Sequence, residues 1–204
     1  MHLFDQRILG VMILCLLGML VIFKQIATGS ILDKPRGNLL VQLVNIFNLF
    51  FLLVVNPLAG ILLITRLLEA VDLTRTPVNQ PGLLMALEVA GLVLYVMGFL
   101  LMAWALVTLG RNYQMGGSAP RSEDRMVIEG PYRIIRHPMY TSALSISLGL
   151  ACLTQSWAFF GVFCIYLVLI SMLIPVEEEE LRKAYGEQYA AYRKKAGGII
   201  PLVH

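Results

Sequence analysis

Charge is scarce in this chain. Lysine and arginine number 16, aspartate and glutamate 13, and only 14% of the 204 positions are charged. A soluble domain carries about 25%. The net charge of +3 is too small to argue for a nucleic-acid partner. Cysteine is scarcer still. Cys15, Cys152 and Cys164 all sit in apolar runs, which excludes a disulfide framework, and no Cys/His spacing suits zinc. They read as small buried hydrophobes, and no metal site is expected. The chain shows no internal repeat and no low-complexity tract. No small-residue cleavage site follows the first apolar run, so a cleavable leader is not expected.

What the chain has instead is hydrophobic length. Hydrophobic residues make up 58%, against roughly 45–50% in soluble domains, and a spanning helix needs about 20 mostly apolar residues. Ile8 to Ile26 is the first candidate, with Lys24 and Gln25 able to snorkel. Leu39 to Thr65 is the second, long enough to tilt, with a kink expected at Asn56-Pro57. Leu83 to Leu109 is the third. Thr141 to about Leu153 and Trp157 to Ile174 are the last two. Only Thr154-Gln155-Ser156 separates them, so they form a helical hairpin; the first of the pair is short, and its entry can begin nearer Pro138. The fold class expected is an all-α polytopic membrane protein of about five spans. It divides into residues 1–107, carrying spans one to three, and a catalytic region, 108–204.

Five spans place the termini on opposite sides. The segment after span one holds Lys24, Lys34 and Arg36. The segment after span three holds Arg111, Arg121, Arg125, Arg133 and Arg136. The tail holds Arg182, Lys183, Arg193, Lys194 and Lys195. Only Arg7, Arg66 and Arg75 fall on the other side. Basic residues favour the cytoplasmic face, so the N-terminus is expected outside and the C-terminus in the cytosol. A short chain of this kind suits a prokaryotic inner membrane.

From Pro175 onward the chain is polar with a helical pattern. Pro175 suits a helix start, and Glu177 to Glu180 would occupy the first turn, where the macrodipole favours anions. Leu181, Ala184, Tyr185, Tyr189 and Tyr192 form a stripe expected on the membrane surface or against the rest of the domain. Gly197-Gly198 would end this amphipathic helix.

Two polar blocks thus meet one membrane face. Gly130-Pro131-Tyr132-Arg133-Ile134-Ile135-Arg136-His137-Pro138-Met139-Tyr140 reads as a basic interfacial anchor or as a small-molecule site. Gly130, Pro131 and Pro138 fix the backbone, which an anchor does not need, and an imidazole, guanidinium groups and two phenols converge. The four glutamates fan round a helix, so one or two can face inward while the others stay solvated. In span two, Asn45, Asn48, Leu52 and Asn56 share a face. Interhelical hydrogen bonding explains them; Asn45 and Asn48 lining a substrate cavity is the sharper reading. Span four is rich in small residues, which suits close packing. Glu88 lies near the outer face, is expected to reach the interface and is given no chemistry.

The order G-x-Y-x-x-x-R-H-P-x-Y is carried by Gly130, Tyr132, Arg136, His137, Pro138 and Tyr140. It is followed by E-E-x-x-L-x-x-x-(F/Y)-G-x-x-Y-x-x-Y on Glu177, Glu178, Leu181, Tyr185, Gly186, Tyr189 and Tyr192. Across residues 108–201 this resembles the isoprenylcysteine carboxyl methyltransferases and related phospholipid methyltransferases. The resemblance implies an integral membrane enzyme that uses S-adenosylmethionine in a cytosol-facing pocket and draws a lipophilic acceptor from the bilayer. By the same resemblance, Arg125, Met126 and Val127 would contact the cofactor through their backbone. Tyr132, His137, Pro138, Met139 and Tyr140 would line its pocket. Glu177, with Glu178 beside it, would take the ribose. Arg136 would orient the loop or the cofactor carboxylate and is the best catalytic candidate. Methyl transfer demands positioning and exclusion of water rather than a metal or a covalent intermediate.

Two positions depart from the pattern. Relatives that methylate a prenylcysteine carboxylate carry an arginine four residues before the first motif glutamate, where Leu173 stands here. Gly198 stands where relatives often have another. The acceptor expected is therefore a lipophilic thiol, amine or carboxyl compound other than prenylcysteine. Two further classes remain. Membrane sterol reductases that bind NADPH are similar in this region, but asparagine usually stands where Pro138 does. A non-catalytic scaffold does not need His137, Tyr132, Tyr140 and Glu177 together.

Overall fold

The computed structural model describes residues 3–29, 38–74, 78, 80–114, 120–121 and 124–199. Among them every regular element is helical. The eight α-helices in chain order are α1 (Gln6–Thr28), α2 (Leu39–Phe50), α3 (Asn56–Thr65), α4 (Leu68–Val71), α5 (Pro81–Leu109), α6 (Pro138–Thr154), α7 (Trp157–Tyr185) and α8 (Glu187–Arg193). Local chemistry sets their ends. Asp5 caps α1 by accepting the Arg7 amide at 2.7 Å, and Asn38 caps α2 by accepting the Val41 amide at 3.0 Å. Gly29 closes α1 in the left-handed conformation.

Among the described residues, four stretches are long and apolar enough to cross a membrane: Gln6–Thr28, Leu39–Thr65, Pro81–Asn112 and Trp157–Tyr185. The 17-residue α6 is the short fifth. It begins at Pro138, three residues before the apolar run itself. Ile8, Ile26, Val93 and Val168 stand exposed on the outer faces, a surface suited to lipid and unsuited to water. The chain is an integral membrane protein.

The span Leu39–Thr65 is one continuous rod with a π-helical turn, Phe51–Val55, at its middle. Pro57 supplies no amide hydrogen, so the helix cannot keep its regular ladder there. The Asn56 amide instead reaches back to the Phe51 carbonyl, and Asn56 Nδ2 donates to the same oxygen at 3.0 Å. Tyr95 of α5 donates to Asn56 Oδ1 at 2.8 Å. The irregularity expected at Asn56-Pro57 is thus real but lies in the turn before the proline, sealed by a polar pair between helices.

α5 and α6 pack closely because both surrender side-chain volume. A Cβ on Gly149 would stand 2.7 Å from the Tyr95 amide nitrogen and 2.8 Å from the Gly91 carbonyl oxygen. The small residues of span four are a packing seam, as their composition suggests.

The two ends of the bundle differ. At one end Asp5 meets Arg66 at 3.4 Å, and Thr74 Oγ1 accepts the Ala158 amide at 2.9 Å. At the other, Lys24 stands 5.2 Å over the Tyr113 ring, and Arg121, Arg136 and Arg193 enter ion pairs. The described residues of the three basic segments therefore share one end. Lys34, Arg36 and Arg75 lie outside the described residues.

Two expectations are corrected. Glu88 does not reach the interface. It is 1% exposed and accepts the Leu3 amide at 2.7 Å, so the chain's own N-terminal segment satisfies it. Nor does Pro175 start a helix. α7 runs unbroken from Trp157 through Pro175 to Tyr185. One missing donor is tolerated inside an otherwise complete apolar helix. Glu177 to Glu180 therefore lie in the C-terminal third of α7, where the dipole does not favour them; Arg182 and Lys183 occupy the last turn. Gly186, at φ 52°, separates α7 from α8, which ends at Arg193. The amphipathic C-terminal helix expected from Pro175 to Gly197 is thus the end of α7 plus α8.

Candidate active site at the basic end of the bundle

The described residues just before α6 are held against the bundle. Gly130 has φ 55°, and a Cβ there would lie 2.7 Å from Thr108 Oγ1 and 3.1 Å from Trp104 Nε1. Glycine alone meets both conditions, and the 3-10 turn Gly130–Arg133 can lie against α5. Tyr132 is buried, and its carbonyl accepts the Tyr192 hydroxyl at 2.6 Å. The next residues pair with the C-terminal segment. Arg136 donates its amide to Gly197 at 2.7 Å, Gly197 to Ile134 at 3.1 Å, and His137 to Gly198 at 3.2 Å. Gly197-Gly198 is thus a backbone partner of the loop, not a helix stop.

Glu178 is the hub of this closure. Its Oε1 accepts Arg136 Nε at 2.9 Å, Arg136 Nη2 at 2.9 Å and faces His137 Nε2 at 3.2 Å. Arg193 Nε lies 3.5 Å from Oε2. Arg136 also donates Nη1 to the carbonyls of Ala196 and Arg193. A helix of 29 residues is about 43 Å long, against roughly 30 Å of hydrocarbon. Its final turns, from Glu177 on, project past the apolar stretch. There the hydrogen bond with His137 and then the Arg136 guanidinium hold Glu178 well below the usual carboxylate range, at about 2.

Glu177 faces the other way. Its Oε2 accepts the Tyr140 hydroxyl at 2.5 Å and lies 3.9 Å from His137 Nδ1. The His137 and Tyr140 rings stack, 5.6 Å apart and 17° from parallel. Glu179 and Glu180 turn outward to Arg182 and Lys183, each with a closest approach of 2.8 Å. The four-glutamate run therefore divides into two inward and two solvated members. Burial pushes the Tyr192 phenol up to about 12, against a lowering pull from Arg136, and pushes Tyr132 up with help from the Glu177 charge. Both stay neutral donors at physiological pH.

These elements enclose a cavity of about 280 Å³. Its polar end is walled by Arg125, Met126, Val127, Tyr132, Arg136, His137, Pro138, Met139, Tyr140 and Glu177. Its apolar end, among α1, α2, α5, α6 and α7, is walled by Leu20, Leu52, Met102 and Ile146, with Asn45, Asn48 and Tyr166. Residues on both sides of position 107 contribute. Of the site residues singled out from sequence, Glu178 does not line the cavity; it lies behind the wall. Arg136 lines it, but spends its donors on Glu178 and the C-terminal turn. Asn48 Oδ1 accepts the Tyr166 hydroxyl.

Other wall residues carried no assignment. Tyr185, Tyr189 and Tyr192 line the cavity, although their stripe read as a packing face. Tyr113 and Gln114 follow span three directly and left no signal. Gln114 bonds Asp124, which Arg121 grips at 2.8 Å, so these three residues are tied to one another beside the cavity.

Residues 87–188 match the family model described as phospholipid methyltransferase. Protein-S-isoprenylcysteine O-methyltransferase B of Arabidopsis thaliana is 31% identical over 118 residues, 56% of this chain and 59% of that one. Protein-S-isoprenylcysteine O-methyltransferase of Schizosaccharomyces pombe is 29% identical over 109 residues, 52% of this chain and 46% of that one. The chain thus spans about half the length of these relatives. A solved structure of the eukaryotic intramembrane Ras methyltransferase ICMT (isoprenylcysteine carboxyl methyltransferase) shares the fold, with a TM-score of 0.55. The identity is 17%, over 96% of this chain and 86% of that one. The family match covers half of the 204 residues and takes in the Gly130 turn, the α6–α7 hairpin and both inward glutamates. The chain belongs to the phospholipid methyltransferase family.

Proposed function

We propose that the chain is a membrane methyltransferase that takes a methyl group from S-adenosylmethionine and places it on a lipophilic acceptor. The observation that carries this is a single cavity with a charged, hydrogen-bonding end and an apolar end walled by membrane helices. Family membership supports the same reaction class.

The wall residues fit the cofactor. Glu177 commits Oε2 to Tyr140 and makes no hydrogen bond through Oε1 among the described residues, leaving an acceptor for ribose hydroxyls. Tyr132 and the stacked His137 and Tyr140 offer flat faces to a purine. Arg125, Met126 and Val127 supply backbone groups along the wall. Arg136 and Glu178 act as positioning residues, since their hydrogen bonds fix the loop. S-adenosylmethionine supplies an electrophilic methyl on a sulfonium, whose positive charge is lost on transfer. The protein's part is to hold the partners in line and keep water out.

The acceptor enters along the apolar end, where Asn45 and Asn48 are its polar contacts. Leu173 is 0% exposed, lies in the core and does not line the cavity. That helix position offers no cation to an anionic acceptor. We therefore place a thiol, an amine or a carboxyl compound other than prenylcysteine there. The gathering of basic residues at this end supports a cytoplasmic mouth, with the N-terminus outside.

Transfer of label from methyl-tritiated S-adenosylmethionine tests the reading. Purified protein would be offered dodecanethiol, dodecylamine and N-acetyl-S-farnesylcysteine. Label in the thiol or the amine is expected. Efficient labelling of the farnesylcysteine alone contradicts the acceptor assignment, and no label in any of them contradicts this reading of the acceptor class.

A further inference from the structure

Two phenols in the cavity wall have their hydrogens committed elsewhere. Tyr140 (8% exposed) gives its hydroxyl hydrogen to Glu177, and Tyr166 (4% exposed) gives its own to Asn48. Both residues line the cavity, Tyr140 beside the polar end and Tyr166 at the apolar end. Both rings are held: Tyr140 by His137, and Tyr166 by Phe47 and Phe51, whose centroids lie 5.1 and 5.4 Å away. A phenol whose single hydrogen is spent can offer another neighbour only lone pairs. Toward the cavity these two phenols can therefore offer oxygen lone pairs and not their own hydrogens.

We propose that Tyr140 and Tyr166 receive the positively charged sulfonium methyl group, and that Asn48 is the positioning residue that keeps the Tyr166 lone pairs facing it. This rests on the cofactor reading above. A methyl group on a sulfonium carries hydrogens polarised positive, and oxygen lone pairs accept them as C–H···O contacts. The same oxygens gain nothing from a neutral thioether. The site thus favours the charged cofactor over its demethylated product, and its floor marks the acceptor's approach from the Asn48 side. Asn48 accordingly orients a wall group as well as bordering the acceptor. The π-helical turn that follows Asn48 packs Phe51 against Tyr166 and so helps set this floor.

The test compares binding of S-adenosylmethionine and S-adenosylhomocysteine by calorimetry to the detergent-purified chain, Tyr166→Phe and Asn48→Leu. The unmodified chain is expected to prefer the sulfonium. Tyr166→Phe keeps the ring and removes the oxygen. Asn48→Leu frees the phenol hydrogen to turn into the cavity. In both, the preference should fall roughly two- to five-fold, the order of one such contact, while S-adenosylhomocysteine affinity holds. A preference unchanged in both variants, or equal weakening of both ligands, overturns the inference and leaves the functional reading standing. Failure of the unmodified chain to bind either ligand overturns the functional reading and this inference with it.

Discussion

Arg136 grips Glu178 through two nitrogens, each 2.9 Å from the same carboxylate oxygen. The pair joins the loop before α6 to the end of α7, 42 residues on in sequence. It is enclosed, with side chains 5% and 13% exposed. The same guanidinium reaches the Ala196 carbonyl, so one side chain ties three segments around the polar end of the cavity.

Arg136→Ala should therefore act through architecture. Breaking an enclosed pair by removing one partner costs about 3–5 kcal/mol. The melting temperature in detergent should fall clearly, and S-adenosylhomocysteine affinity should fall with it. Arg136→Lys should restore only part of either, because an ammonium cannot reproduce the guanidinium fork. Full stability in the alanine variant contradicts the clasp.

The clasp has a pH signature. The folded-state pKa of Glu178, about 2, lies below the ordinary glutamate value of about 4.3. A depressed carboxyl stabilises the fold above its unfolded pKa and loses that stabilisation as pH falls through the folded one. The melting-temperature gap between the unmodified chain and Glu178→Gln should be constant from roughly pH 8 to 5 and close between about pH 4 and 2. A gap that persists at the lowest pH contradicts the assignment.

The four glutamates should separate by function. Glu177→Gln should weaken S-adenosylhomocysteine binding by about ten-fold or more, the cost of a charge-assisted hydrogen bond. Glu179→Gln and Glu180→Gln, on the solvated face, should leave it unchanged. Equal effects at Glu177 and Glu179 would mean that the inward–outward division has no bearing on binding.

Asn56 should matter for folding and not for binding. Asn56→Leu strands the buried Tyr95 hydroxyl, at about 1–3 kcal/mol, while the Phe51 carbonyl keeps the residue-56 backbone amide. The melting temperature should drop while cofactor affinity in the folded fraction holds. A variant as stable as the parent argues against the Asn56–Tyr95 pair.

Span boundaries were legible because twenty apolar residues have few other uses. So was the pocket loop, because Gly130, Pro131 and Pro138 fix a backbone in few ways. What sequence pattern concealed depended on distant contacts. Pro175 looks like a helix start locally, yet the apolar helix before it continues. Glu88 looks like an interface carboxylate until Leu3, 85 residues away, meets it. Glu177 and Glu178 are adjacent and chemically identical. Only the positions of Tyr140 and Arg136 decide that the first faces the cavity and the second holds its wall. Tyr166 sits in an apolar run with nothing local to distinguish it from a packing aromatic; its hydrogen-bond partner is Asn48, 118 residues earlier.

The most direct measurement is a calorimetric titration of the detergent-purified chain with S-adenosylhomocysteine and, separately, with NADPH. Binding of S-adenosylhomocysteine at micromolar levels, abolished or strongly weakened in Glu177→Gln, and no binding of NADPH are the results expected. Binding of NADPH without S-adenosylhomocysteine at millimolar levels would contradict the assignment of this cavity to a methyl donor.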